Sequence, residues 1–415
     1  MECPRNATSR RRTVYVQMRF MNGTKKWLTP EDLTTASTLY APGLIGPHRD
    51  QSVRCVRDLI RRWGTAPAWP LGTPDDKGLI VLAVDSLSYD AALELLAPDE
   101  LVCLTSTFPS TSAVSWVSSV TGVRSREHRV SGPVGLQPGV DGVYNILRSC
   151  AYTWDGGTMV SSPALPDPFP AQPTAFDDLA TAGLESAVLV GDFSNVCVQW
   201  SDLLVGGGRR VEPSVDVARI RDDGPLVARA AVEQVDRERK VGVRRCIWAY
   251  VNLDEHAHRN GYDAGFRAAV RSLADAAERW SGQGHTVILH SDHGQVPNRV
   301  TPTDVARFDA VASADRCRLP PGGAGRVRWI YPRAGHEQSL LAAMRDLLGE
   351  DAIVCHRDDL ADLGVVPEHG LPGCGEIVMI ATGAAFPVPD PAYVFEHGSF
   401  TRGEMLVPLA LWGPR

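Results

Sequence analysis

Three features predict an α/β fold built on a largely parallel sheet with helices on both faces. Continuous apolar runs of strand length recur at residues 79–84, 187–191, 246–251 and 286–290. Strands buried on both faces read as unbroken apolar runs rather than as alternating ones. Amphipathic helical patterns lie between them, at 225–239 and 262–280. In the second of these, Phe266, Ala269, Val270, Leu273, Ala277 and Trp280 make one apolar stripe, the spacing of a helix that covers a sheet. Thirdly, acidic residues follow the runs. Asp85, Asp254 and Asp292 stand at or just beyond three of them, on the edge where open α/β sheets assemble sites.

The other elements follow in chain order. Residues 49–63 carry Val53, Val56, Leu59 and Ile60 at helical spacing, which predicts a helix. Residues 64–78 are rich in Pro and Gly and read as a linker or surface loop. Residues 1–77 are thus expected as an N-terminal extension whose role the sequence does not name. Between Asp292-His293 and His397 lies a long interruption. Within it, strand-like stretches at 328–331, 352–356 and 376–381 surround a helix at 337–348, stopped by Gly349. A small α+β cap insertion, residues 295–396, fits that order. The core is then 78–294 together with 397–415.

Composition bounds the function. The 415 residues can bury a large core, and 44% hydrophobic with 22% charged residues is ordinary for a globular chain. A net charge of −7 argues against nucleic acid as an electrostatically captured partner. The basic N-terminus is followed by no apolar signal-peptide region, and no run reaches the length of a membrane span. The nine cysteines form no CxxC pair. Buried free thiols in the cytoplasm are the reading that fits.

The chemistry gathers in a few short strings. Asp254 and His258 are four apart, which places both on one face of a helical turn. Asp292 and His293 are adjacent and must leave their strand irregularly; Gly294 is expected to permit that departure. His397 lies in EHGSF near the C-terminus. Mixed carboxylate and imidazole donors suit a divalent ion such as zinc or manganese. Each residue alone reads equally as a turn, a cap or a packed side chain. His256 and His290 compete with their neighbours; His256 is expected to be exposed or supporting and His290 packed. Between Asp85 and the Asp254-His258 pair runs FPSTSAVSWVSSVTG, a hydroxyl-rich turn entering a helix. Free N–H groups at such a helix start favour an anion and an alkoxide.

Together, Asp85, the FPSTS…TG segment, Asp254-x-x-x-His258-x-x-Gly261, Ser291-Asp292-His293-Gly294 and His397-Gly398 resemble the alkaline phosphatase superfamily. The branch is similar to the type I phosphodiesterases, nucleotide pyrophosphatases and PglZ-like domains. The resemblance spans residues 78 to 415 by motif order. It implies two divalent metal ions, zinc with manganese as the alternative. One would take Asp254, His258 and His397, the other Asp85, Asp292 and His293. Counting back from Thr121-Gly122 places the nucleophile on Ser112; Thr111 serves if the register differs by one. The resemblance further implies hydrolysis of a small phosphorylated substrate, a nucleotide being one, through a covalent Ser/Thr phospho-enzyme. Phosphonate hydrolysis or phosphate transfer on the same site, or a PglZ-like phage-defence role, are the alternatives. The sulfatase branch is disfavoured, because FPSTSA lacks the Cys/Ser-x-Pro-x-Arg context. Arg124 and Arg126 read as solvent-exposed charge, and His128 as a packing residue.

Overall fold

The computed structural model describes residues 52–65, 76–159, 169–195, 198–241, 243–360 and 373–415. Most of the expected N-terminal extension and linker, residues 1–51 and 66–75, lies outside the described residues.

Seven strands form the core sheet: β1 (Gly78–Val84), β2 (Glu100–Thr105), β3 (Glu185–Leu189), β4 (Arg209–Val211), β5 (Arg245–Val251), β6 (Thr286–His290) and β7 (Leu406–Trp412). Their order is β2-β7-β6-β1-β5-β3-β4. Only β7 runs against its neighbours; the other pairings are parallel. The expected apolar runs are these strands, within a residue or two at each end.

The helices that matter here are α1 (Cys55–Thr65), α2 (Ser112–Thr121), α3 (Gly224–Glu238), α4 (Asp254–Asn260) and α5 (Ala264–Ser281). Strand β1 shows why its sequence is unbroken in hydrophobicity. Leu79, Val81 and Ala83 pack on one face with Val56 and Ile60 of α1 and Val114 and Val117 of α2. Ile80, Leu82 and Val84 pack on the other with Val227 of α3 and Phe266, Val270 and Leu273 of α5. Both faces are therefore covered, as a parallel sheet requires. Asp263 caps α5, its side chain accepting from the Phe266 N–H at 2.8 Å. Each large apolar side chain α5 buries contributes about 1.5–3 kcal/mol at most. Leu273→Ala alone would remove about 2–5 kcal/mol.

Helix α1, from the segment expected as an extension, lies in this core. Its Trp63 Nε1 donates to Asp76 Oδ2 at 2.7 Å, and Thr286 Oγ1 of β6 donates to the same oxygen at 2.6 Å.

A second sheet has eight antiparallel strands, ordered 352–356, 377–381, 327–332, 317–324, 134–135, 143–145, 150–153 and 156–159. Half its strands come from the expected insertion and half from residues 134–159, just after α2. The halves pair at one bridge, Gly323 to Val134, beside which the Leu136 N–H donates to Gly373 O at 2.9 Å and Trp154 Nε1 to Cys317 O at 3.0 Å.

Register places the site. Ala83 of β1 pairs with Tyr250 of β5 on one side and His290 of β6 on the other. The three strands thus end level, and the segments after them emerge side by side.

Candidate active site and metal centre

Asp85 leaves β1 with its N–H donating to Val251 O at 3.0 Å, so pairing to β5 continues through it. Asp254 begins α4, where Asn252 Oδ1 accepts the Asp254 N–H at 3.0 Å. The turn is helical, so Asp254 and His258 share a face, their Oδ2 and Nε2 3.1 Å apart. Gly261 ends α4 with φ 65°, and a Cβ there would meet the Phe395 ring at 2.6 Å. Gly294 acts differently from the sequence expectation. It has no left-handed φ; it is needed because a Cβ would lie 2.1 Å from Gly403 O.

The expected residues converge. Asp85, Asp292 and His293 place one ligand atom each within 4.8 Å of one another. On the other side the sharing is wider than the expected trio: Asp254, His293 and His397 form one such group, and His258, Glu396 and His397 another. His397 Nε2 is 3.7 Å from Asp254 Oδ1, and its ring stacks on His293 at 3.7 Å between centroids. The two ligand sets are one continuous cluster.

The histidines have a common construction. His258 Nδ1 lies 2.9 Å from Phe395 O, His397 Nδ1 2.7 Å from Ser110 O, and His293 Nδ1 3.2 Å from Gly294 O. A backbone carbonyl only accepts, so each Nδ1 carries a proton. Each Nε2 then turns toward carboxylate oxygen: His258 to Asp254, and His293 to Asp292 at 3.2 Å. A neutral Nε2 and a carboxylate face each other with lone pairs. Either a second proton on the imidazole or a cation between them makes the contact favourable.

The electrostatics agree. Among the described residues no Lys or Arg pairs with Asp85, Asp254 or Asp292. Burial, then the charges of Asp292 and Asp254, push Asp85 well above the usual carboxylate range. Burial and then Asp254 raise Asp292 to about 7. Burial would lower His258, but Asp254 and Glu396 overcome it and raise it to about 10. Burial also works to raise Asp254, yet His258 and His397 hold it well below its ordinary value. Asp292 Oδ2 is buried without a hydrogen-bond partner. Carboxylates crowded out of water without a counter-charge are costly, and divalent cations are the group this donor set fits.

Ser112 is the first residue of α2. Its Oγ is 3.2 Å from Asp85 Oδ2 and 3.1 Å from His293 Nε2. Thr111, one residue earlier, is the N-cap and makes no side-chain capping bond.

Other polar groups complete the cluster. Tyr250 OH donates to Asp85 Oδ2 at 2.6 Å, and Ser86 and Gln295 touch the carboxylates from the loops after β1 and β6. Sequence reasoning missed these. Their signal was adjacency: Ser86 follows Asp85, Gln295 follows the Asp292-His293-Gly294 string, and Glu396 precedes His397. His256 is built in elsewhere, its Nε2 2.8 Å from Asp263 Oδ1 and its Nδ1 2.9 Å from Asp222 O. His290 is buried against Trp116, ring centroids 5.2 Å apart, with both nitrogens unpartnered. Burial lowers it to about 3. His128 is buried too, its Nε2 2.9 Å from Ser118 Oγ; Arg126 is exposed as expected, whereas Arg124 is half-buried.

This architecture is an alkaline-phosphatase-like fold, shared with a nucleotide pyrophosphatase/phosphodiesterase, a phosphonoacetate hydrolase and an alkaline phosphatase of known structure. Murine ectonucleotide pyrophosphatase/phosphodiesterase 5 superposes with a TM-score of 0.57 at 12% identity, over 81% of this chain and 88% of that one. Phosphonoacetate hydrolase from Sinorhizobium meliloti, in complex with phosphonoacetate, gives 0.54 at 17% identity, over 82% and 91%. The alkaline phosphatase PafA gives 0.56 at 13% identity, over 82% and 92%. No protein-family model matches the sequence, and no curated protein matches it. Among the described residues no helix is long and apolar enough to cross a membrane.

Proposed function

We propose that the protein is a metal-dependent phosphoric ester hydrolase that acts on a small organic phosphate, a nucleotide being one candidate, through a covalent Ser112 intermediate. The observation that carries this is the orientation of His258, His293 and His397: each Nδ1 is anchored on a backbone carbonyl, leaving Nε2 for the carboxylates around Ser112. Asp254, His258 and His397 would hold one divalent ion, and Asp85, Asp292 and His293 the second, with zinc favoured over manganese. When bound, such ions supply Lewis-acid stabilisation of charge on the phosphoryl and leaving oxygens.

The chain's own residues do the rest. Ser112 Oγ lies 3.2 Å from Asp85 Oδ2 and 3.1 Å from His293 Nε2, so a cation held by those residues would favour loss of its proton to water. The start of α2 offers backbone N–H groups to a phosphoryl oxygen. The Ser112 oxygen attacks phosphorus as the bond to the leaving oxygen breaks, giving a serine phosphoester. Water then attacks the same phosphorus, freeing Ser112 Oγ. Two in-line displacements retain configuration at phosphorus. The six buried free cysteines among the described residues support a cytoplasmic setting.

The test is metal analysis of the purified protein, followed by assay of nitrophenyl phosphate, a nitrophenyl phosphodiester and a phosphonate. Two bound zinc ions, and activity on an ester that chelation removes and zinc restores, are the expected result. Full activity after exhaustive chelation overturns the proposal. Preference for the phosphonate would move the reading to C–P cleavage, the class represented by the phosphonoacetate hydrolase neighbour.

A further inference from the structure

Ser86 belongs to neither ligand set, yet its conformation is costly. Its φ is 66°, in the left-handed region that a side chain with a Cβ avoids. Strain of this kind persists where the surroundings over-determine it. Here the surroundings are all three carboxylates. The Ser86 N–H donates to Asp292 Oδ1 at 3.3 Å. Its hydroxyl donates to Asp254 Oδ1 and stands 3.3 Å from Asp85 Oδ1.

Gln295 completes the arrangement from the loop after β6. It is 3% exposed. Its Nε2 donates to Asp254 Oδ1 at 2.5 Å and lies 3.0 Å from Ser86 Oγ. Tyr262 locks the two together: its hydroxyl donates to Ser86 O at 2.8 Å and accepts the Gln295 N–H at 2.9 Å. Asp254 Oδ1 is thereby occupied by two donors. Its Oδ2, 3.1 Å from His258 Nε2, is the oxygen left for a cation.

We infer that Ser86 and Gln295 are a positioning pair, which fixes Asp254 against Asp85 and Asp292 so that the two ligand sets are held at one spacing. The inference rests on the metal-dependent reading above. Groups that orient a ligand in this way commonly change metal affinity 10- to 100-fold when removed. A residue that merely stabilised the loop would instead change folding.

Ser86→Gly separates the two. Glycine accepts the left-handed φ and keeps the N–H to Asp292, but has no hydroxyl for Asp254. The chelated variant should melt at or above the wild-type temperature. Its affinity for zinc, measured by competition with a chromophoric chelator, should fall about 10- to 100-fold for at least one ion. Gln295→Met should weaken one ion and spare the other, because the amide touches Asp254 alone among the six. Wild-type affinities for both ions in both variants overturn the inference. So does a melting temperature that drops in step with the lost affinity, which would mark a structural role. Wild-type protein that binds no zinc overturns the metal reading itself, and the inference with it.

Discussion

Ser112 Oγ and His293 Nε2 lie 3.1 Å apart, with Asp85 Oδ2 3.2 Å from the same oxygen. Thr111 has no such contact and makes no capping bond. Ser112→Ala should therefore lower turnover by about 10³-fold or more, since the attacking atom is gone. Metal content and melting temperature should stay at wild-type values. Thr111→Ala should cost about threefold or less, as no polar partner is lost. Phospho-enzyme trapped at low pH and mapped by peptide sequencing should carry its phosphate on Ser112. Phosphate on Thr111 would reverse the assignment.

A buried ion pair ties the second sheet to the core. Arg326 Nε is 3.2 Å from Glu404 Oε1, with side chains 2% and 0% exposed. Glu404 also accepts from the Ser399 N–H at 2.8 Å and from Thr401 Oγ1. The segment it holds is the one that carries His397. Glu404→Gln leaves Arg326 buried beside a neutral group, which should destabilise the protein by about 3–5 kcal/mol. Urea denaturation with the chelated protein measures this directly. A loss below about 1 kcal/mol would show that Arg326 finds another partner or reaches water.

His128 makes stability depend on pH. Its Nε2 donates to Ser118 Oγ and its Nδ1 accepts the Val130 N–H at 3.1 Å, so the buried ring is neutral. Burial lowers it to about 3, against about 6.5 in an unfolded chain. Below that upper value the unfolded state takes up a proton that the folded state refuses. This contribution is fully present above about pH 6.5 and falls by up to about 1.4 kcal/mol per pH unit toward pH 3. In His128→Gln, chelated protein unfolded in urea at pH 7.5, 6 and 5 should lose less stability than wild type over the same range. Parallel pH profiles would mean that the ring is protonated in the folded state.

The sheet was legible because burial on both faces leaves an unbroken apolar signature, as the alternate packing of Leu79 and Ile80 shows. Asp85, Asp254, Asp292 and His293 were legible because they follow strands, and His258 because it shares a helical turn with Asp254; His397 was legible only through the family resemblance. The second sheet was half hidden. Its strands at 134–135 and 143–145 are two and three residues long, too short for any period to emerge. Their ladder joins the insertion at Gly323 and Val134, a pairing across a long stretch of chain that no local pattern encodes. Ser86 was hidden for another reason. Its role depends on a left-handed backbone and on groups supplied by three loops. Gly294 was expected to permit an irregular exit from the strand, but what demands glycine there is the Gly403 carbonyl, a neighbour in space alone.

Tyr393 is where the span 295–396 comes against the ligands. Its ring stacks on His258, centroids 4.2 Å apart and planes 12° from parallel. Its hydroxyl donates to Glu255 Oε2 at 3.4 Å, and the next N–H, of Val394, donates to His258 O at 2.7 Å. The ring therefore walls the side of the cluster where His258 sits, without itself offering a ligand atom to Asp254 or His397. Removing it in Tyr393→Ala should open space there for a bulkier ester group. Discrimination by pocket shape is worth about 10- to 200-fold. The kcat/KM ratio of phosphodiester to phosphomonoester should then shift by about tenfold or more. Zinc content should stay at the wild-type level, which separates a change of shape from a lost ion. An unchanged ratio with zinc retained would remove Tyr393 from the specificity elements.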